Sequence, residues 1–121
     1  MIEFELASVL KTYNPNVHMF EVPDTDTSTE ALAVRYIADR SNTKYYNKER
    51  EIKIALFHVA RVVGKLYSAL CNDIAFTSIL NKYNGNSILD IKITNQEDSK
   101  LDTGKFERLY TVEVTYLYTY Q

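Results

Sequence analysis

The stretch 109-LYTVEVTYLYTY-120 decides the fold. Tyr110, Val112, Val114, Tyr116, Tyr118 and Tyr120 take alternate positions, and Leu109, Thr111, Glu113, Thr115, Leu117 and Thr119 fill those between. Successive side chains of a strand point to opposite faces, so this twelve-residue alternation predicts one long β-strand. Each apolar side chain it buries contributes roughly 1.5–3 kcal/mol as an upper bound. A whole domain keeps only about 5–15 kcal/mol of net stability. The strand therefore belongs to the core, and its removal should unfold the chain.

Working back from it, Asn95 to Lys105 is polar, carries Gly104 near its end, and reads as a loop. Ile88 to Thr94 reads as a strand with Leu89, Ile91 and Ile93 on one side. Asn84-Gly85-Asn86 marks a turn before it. Val59, Val63, Leu66, Leu70 and Ile74 recur at helical spacing and predict a helix from about Ala60 to Cys71. A second short helix, Ile74 to Lys82, follows Asn72-Asp73.

Glu51 to Val59 is the second clear strand. Ile52, Ile54 and Leu56 share one face, with His58 near its end, while Ala55, Phe57 and Val59 share the other. Two apolar faces predict a central strand covered on both sides. Leu32, Val34 and Tyr36 mark another strand, separated from it by the charged Asp39 to Glu49, read as a loop or protruding hairpin. Asp24 to Thr29 is a polar turn, and Val17 to Val22 a short β-type run. At the start, Ile2, Leu6, Val9, Leu10 and Tyr13 lie on one helical face, and Pro15 stops that helix near Tyr13.

The predicted order is α-β-β-β-α-α-β-β. It lacks the regular alternation of a doubly wound fold, so the expected class is α+β, with a mixed or antiparallel sheet and helices packed on one face. At 121 residues the chain has room for a single domain over 1–121. A net charge of −2 argues against general binding to nucleic acid or anionic membrane. Cys71 is the only cysteine, so no intrachain disulfide forms, and the start of the chain has acids where a signal peptide carries lysines. The expectation is a soluble protein made inside a cell. Ten tyrosines, with no tryptophan and three glycines, suit half-buried β-surfaces and interfaces.

Reactive constellations are missing. His58 with Cys71 is the one thiol–imidazole pairing to consider, but Cys71 sits between Leu70 and Ile74, where a cysteine acts as a small hydrophobe. Asp24-x-Asp26-x-Ser28 begins like a calcium loop, yet Thr29 stands where glycine is needed and Arg35 where a bidentate glutamate is needed. Gly64, Gly85 and Gly104 are solitary, so no phosphate-cradling loop forms. The sequence predicts no catalytic residue, no metal site and no cofactor. Arg35, Arg40, Lys44, Lys48 and Arg50 interleave with Tyr36, Tyr45 and Tyr46. That cluster reads as a solvated loop, an intersubunit contact or a nucleic-acid contact.

Taken together, these elements resemble the tail-terminator (tail-completion) proteins of long-tailed bacteriophages. The resemblance runs over nearly the whole chain. It comprises the amphipathic first helix, the pair Ala31 to Ile37 and Glu51 to Val59, the Asn72-Asp73-Ile74 junction, the Ile88 to Thr94 strand, and the final aliphatic-Thr-Tyr strand from Val112 to Tyr120. It implies a non-enzymatic virion protein at the tail–neck junction, assembled in the host cytoplasm. Such proteins form a hexameric ring that caps the tail tube and joins it to the head connector, while genomic DNA passes through the lumen without specific binding. It implies no membrane partner. Function would then lie in contact loops, here Arg40, Lys44, Tyr45, Tyr46 and Lys48 in one and Asp98, Lys100, Asp102 and Lys105 in the other. Other small phage neck, adaptor or baseplate proteins, and small protein-binding modules, share the same size and style.

Overall fold

The alternating carboxy-terminal stretch folds as the strand its period demands, and the strand begins earlier, at Phe106. The computed structural model describes residues 2–39, 44–45 (backbone only), 49–83, 85 and 87–119. In chain order the elements are α1 (Ile2–Lys11), β1 (Val17–Met19), β2 (Glu30–Asp39), β3 (Lys44–Tyr45), β4 (Arg50–Val63), α2 (Ser68–Cys71), α3 (Ile74–Lys82), β5 (Ile88–Lys100) and β6 (Phe106–Thr119). The fold is α+β, and the element order is the one expected, with the two-residue β3 added inside the Asp39 to Glu49 segment.

One sheet runs in the order β1-β2-β4-β6-β5, and β3 pairs with β4 beyond the end of β2. Only β1–β2 is parallel; β2–β4, β4–β6 and β6–β5 are antiparallel. The mixed character follows from the chain: β1 and β2 are joined by a ten-residue excursion through Pro23 that returns the chain to the same end. Helices α1 and α3 cover one face. Leu6, Val9 and Leu10 of α1, with Phe76 and Leu80 of α3, pack on Leu32, Val34, Phe57, Val59, Tyr110, Val112 and Val114. Phe76 lies between two tyrosines, its ring centroid 5.5 Å from Tyr13 and 4.8 Å from Tyr110. The helical face predicted for α1 is the one buried, with Ile2 and Tyr13 packed at its ends. Its acids Glu3 and Glu5 sit in the first turn and Lys11 in the last, as the helix dipole favours.

Five departures from the sequence reading stand out. The predicted helix from Ala60 does not form: β4 continues to Val63, because a β-branched run with paired strands on both edges satisfies every backbone group in the ladder. Only Ser68–Cys71 is helical, and Leu66 and Ile74 of the supposed inward stripe stand 71% and 76% exposed. Cys71 is likewise exposed, not a buried hydrophobe. Asn95 to Lys100 is no loop but the outer half of β5, paired with β6 from Thr111 to Phe106. As an exposed edge it tolerates polar residues, and its charges protect it from pairing with other chains. A bulge between Ile88 and Asp90 turns Leu89 outward, so Ile88 is buried beside Ile91. Finally, no helix of the described residues covers the second apolar face of β4.

Candidate functional site

Of the contact residues expected from the sequence, Arg40, Tyr46 and Lys48 lie outside the described residues, and Lys44 and Tyr45 form the backbone of β3. The other group is largely held within the molecule. Asp98 accepts from Arg108 Nε and Nη2 at 2.6 and 2.9 Å and from the Tyr67 hydroxyl at 2.8 Å. Lys105 donates to the Asp26 carbonyl at 2.6 Å, and the Lys100 ammonium lies 5.7 Å from the Phe106 ring centroid. Asp102 is exposed in the turn. His58 and Cys71 do not meet: His58 pairs with Arg35 and Thr111 on the helix-free face, whereas α2 is tied to arginines of the opposite face. Among the described residues no group of His, Cys, Asp and Glu has the arrangement of a metal site.

A network that sequence reasoning missed closes one end of the core. Arg61 and Arg108 face each other directly across β4 and β6 on the helix-bearing side, and both are buried. Arg61 donates through Nε and Nη2 to Glu30 Oε1 at 2.9 and 2.6 Å, and to the carbonyls of Leu70 and Asn72 at 3.0 and 3.3 Å. Arg108 donates to the same Leu70 carbonyl at 3.1 Å and to Asp73 Oδ2 at 2.8 Å, besides its fork on Asp98. The Tyr110 hydroxyl donates to Asp73 as well. Two like charges side by side are thus matched by three carboxylates, and the C-terminal carbonyls of the one-turn α2 are capped by guanidinium groups. Hydrogen bonding to Asp98 holds Arg108 protonated more firmly than usual, and Arg108 in turn holds the Asp98 carboxyl below its ordinary range. Burial and then Asp73 push the Tyr110 phenol up; burial and then Glu30 push Tyr13 up to about 12. Through these bonds the network fastens β2, β4, β5 and β6 to the α2–α3 segment.

The helix-free face is the larger feature. Toward Val62 it is closed by the chain around Val22–Asp24 and by the Leu101–Lys105 turn. Toward the other end no described residue closes it. There Ile52 lies opposite Leu117, Ile54 opposite Thr115, Leu56 opposite Glu113 and His58 opposite Thr111, all only partly buried. Beyond β6, Asp90 and Lys92 of β5 add a charged border. An aliphatic centre with a polar margin is the composition of a protein interface. On the helix side, Leu66, Tyr67 and Ile74 form a second exposed apolar group around α2.

An open cleft of about 610 Å³ lies where the start of α1 overhangs the ends of β2 and β6. Glu3, Glu5 and Asp39 supply carboxylates, and Tyr36, Tyr116 and Tyr118 supply aromatic walls. Tyr36 is set edge-on against Phe57, centroids 5.6 Å apart. Burial, followed by the fields of Asp39 and other neighbours, pushes the Tyr116 phenol up to about 12.

Comparison with known protein families finds no match for this chain, and comparison with curated proteins finds none.

Proposed function

We propose that this chain is a structural assembly subunit, working through its surfaces as the tail-terminator proteins it resembles do. In that role copies close into a hexameric ring that caps a phage tail tube and joins it to the head connector, with DNA passing through the lumen. The observation that carries the reading is the partly exposed aliphatic face of the sheet at Ile52, Ile54, Leu56 and Leu117, over which no described element packs. An interior strand with apolar residues on both sides is ordinarily covered on both; a second subunit supplies the missing layer. A ring requires two different patches that meet head to tail. The apolar group around α2, on the other side of the sheet, provides the second. The fully partnered polar groups of the core fit a scaffold better than a catalyst.

The test is the mass of the purified protein by light scattering, with negative-stain images. A closed oligomer is expected, and Leu56→Lys should reduce it to monomers while leaving far-ultraviolet circular dichroism unchanged. Lysine there faces Glu113 and is tolerated by the isolated sheet. A parent protein that stays monomeric at every concentration, alone and with tail tubes, refutes the proposal.

A further inference from the structure

We propose that His58 makes self-association of this chain sensitive to pH, a second copy seating on the helix-free face only while that imidazole is neutral. The inference rests on the reading that copies of the chain meet through this face. His58 lies where the face passes from its closed part to its partly exposed part. Beyond it on β4, Ala60 and Val62 are buried; before it, Ile52, Ile54 and Leu56 are only partly so, and His58 itself is half-buried. A layer laid over the aliphatic residues meets His58 in the next row, since alternate residues of a strand share a face.

The surroundings of His58 oppose a positive charge. Directly opposite it stand Arg35 on β2 and the uncharged Thr111 on β6. Side chains so paired lie about 4.5–5.5 Å apart at Cβ, and like charges there repel. Glu113 is one diagonal step away on β6, and Lys92 of β5 faces it directly. The other charges of the face lie further off: Asp90 and Glu97 on β5, and Glu107 opposite Val62 with Asp24 beside it. His18 is one row over and across β2, where it meets Asp26 at 2.6 Å. Among the described residues no ion pair involves His58. The incoming surface adds no relief. The exposed apolar group around α2 has Lys65 beside Leu66, and the carboxylates near it, Asp73 and Asp98, are engaged by Arg108. On the free subunit a protonated His58 keeps its water. Under a second copy it loses that water beside Arg35, and a charge stripped of water without a counter-charge is costly. Proton binding and association therefore oppose each other. Association strengthens as the pH rises through about 5–8, where an imidazole ordinarily titrates.

The full chain is sedimented over a range of concentrations at about pH 8 and about pH 5.5, at one ionic strength, which leaves ordinary carboxylates ionised at both. The concentration of half-association should be about tenfold higher at the lower pH. In His58→Gln that ratio should fall below about twofold, and in Arg35→Gln, which removes the opposed charge, to about threefold. Far-ultraviolet circular dichroism of the parent should be the same at both pH values. Association that is equal at the two pH values, or a ratio that persists in His58→Gln, overturns the inference and leaves the association standing. A parent that is monomeric at about pH 8 overturns both. Dissociation that comes with loss of dichroism is unfolding, and overturns the inference as well.

Discussion

Arg108 concentrates the energetics of one end of the molecule in a single side chain. Its guanidinium joins β5, through Asp98, to α3, through Asp73, and to the Leu70 carbonyl of α2. Removing one partner of a buried charge network costs about 3–5 kcal/mol. Asp73 and Asp98 keep 17% and 26% side-chain exposure and so retain some hydration, which places Arg108→Ala near the lower end, about 3 kcal/mol. The urea midpoint measures it; a loss under about 1 kcal/mol would reduce the network to ordinary surface pairing. Acid should act on the same contact. Asp98 titrates below its unfolded value near 4, so its contribution is present above about pH 4 and fades as the pH falls through the folded value. Asp98→Asn should therefore be weaker at pH 7 yet lose less than the parent on going from pH 7 to pH 3. An equal loss would place the acid sensitivity elsewhere, for instance at Asp26, which Ser28 and His18 also hold below the ordinary range. These arginines were within reach of the sequence. Extending the period of two from Val59 to Arg61, and from Tyr110 back to Arg108, puts both on the core face. The helical spacing of Val59, Val63 and Leu66 competes with that period from Val59 onward, which hides Arg61 as a core residue.

At the scale of elements, strand periodicity transferred well and boundaries did not. Leu109 to Thr119 and Glu51 to Val59 were legible because one buried face imposes alternation. Val59 and Val63 satisfy a helical spacing and a strand spacing alike, and only the pairing of both edges of β4 decides between them. No local pattern carries that information. The polar outer half of β5 was illegible for the opposite reason: it buries no face, and partner β6 alone makes it a strand. Its turn gives a sharp test. Gly104 has φ of 85°, with its amide bonded to the Leu101 carbonyl at 2.9 Å. A Cβ there would meet nothing nearer than the Lys65 Cε at 4.0 Å, so space is not limiting. Gly104→Ala should cost only the left-handed backbone term, about 1–2 kcal/mol, and Gly104→Asn less. Thermal unfolding separates the two; an alanine variant as stable as the parent would mean that the turn relaxes into another form. The candidate site was legible only in part, since Tyr36, Tyr116 and Tyr118 stand out by alternation whereas the acids that meet them come from α1 and the end of β2.

For the whole molecule the question is whether its two ends, and its neighbours, unfold as one. Strands β4 and β6 each have 14 residues and run together for about 45 Å, from the arginine network at one end to the tyrosine cleft at the other. Neither end has a core of its own, so the chain should unfold in one cooperative step. Far-ultraviolet circular dichroism and tyrosine fluorescence, with ten tyrosines and no competing tryptophan, should give coincident urea transitions. The proposed association would add a further dependence. A native state that binds copies of itself is stabilised by mass action, so its midpoint temperature rises with protein concentration. Leu56 lies on the helix-free face and outside the core cluster, so Leu56→Lys should abolish the proposed association without touching the packing beneath α1 and α3. The variant should show a concentration-independent midpoint equal to the dilute limit of the parent. If the parent's midpoint is also independent of concentration from micromolar to millimolar, the open face has no affinity for its own kind. The layer it lacks would then have to come from a different protein.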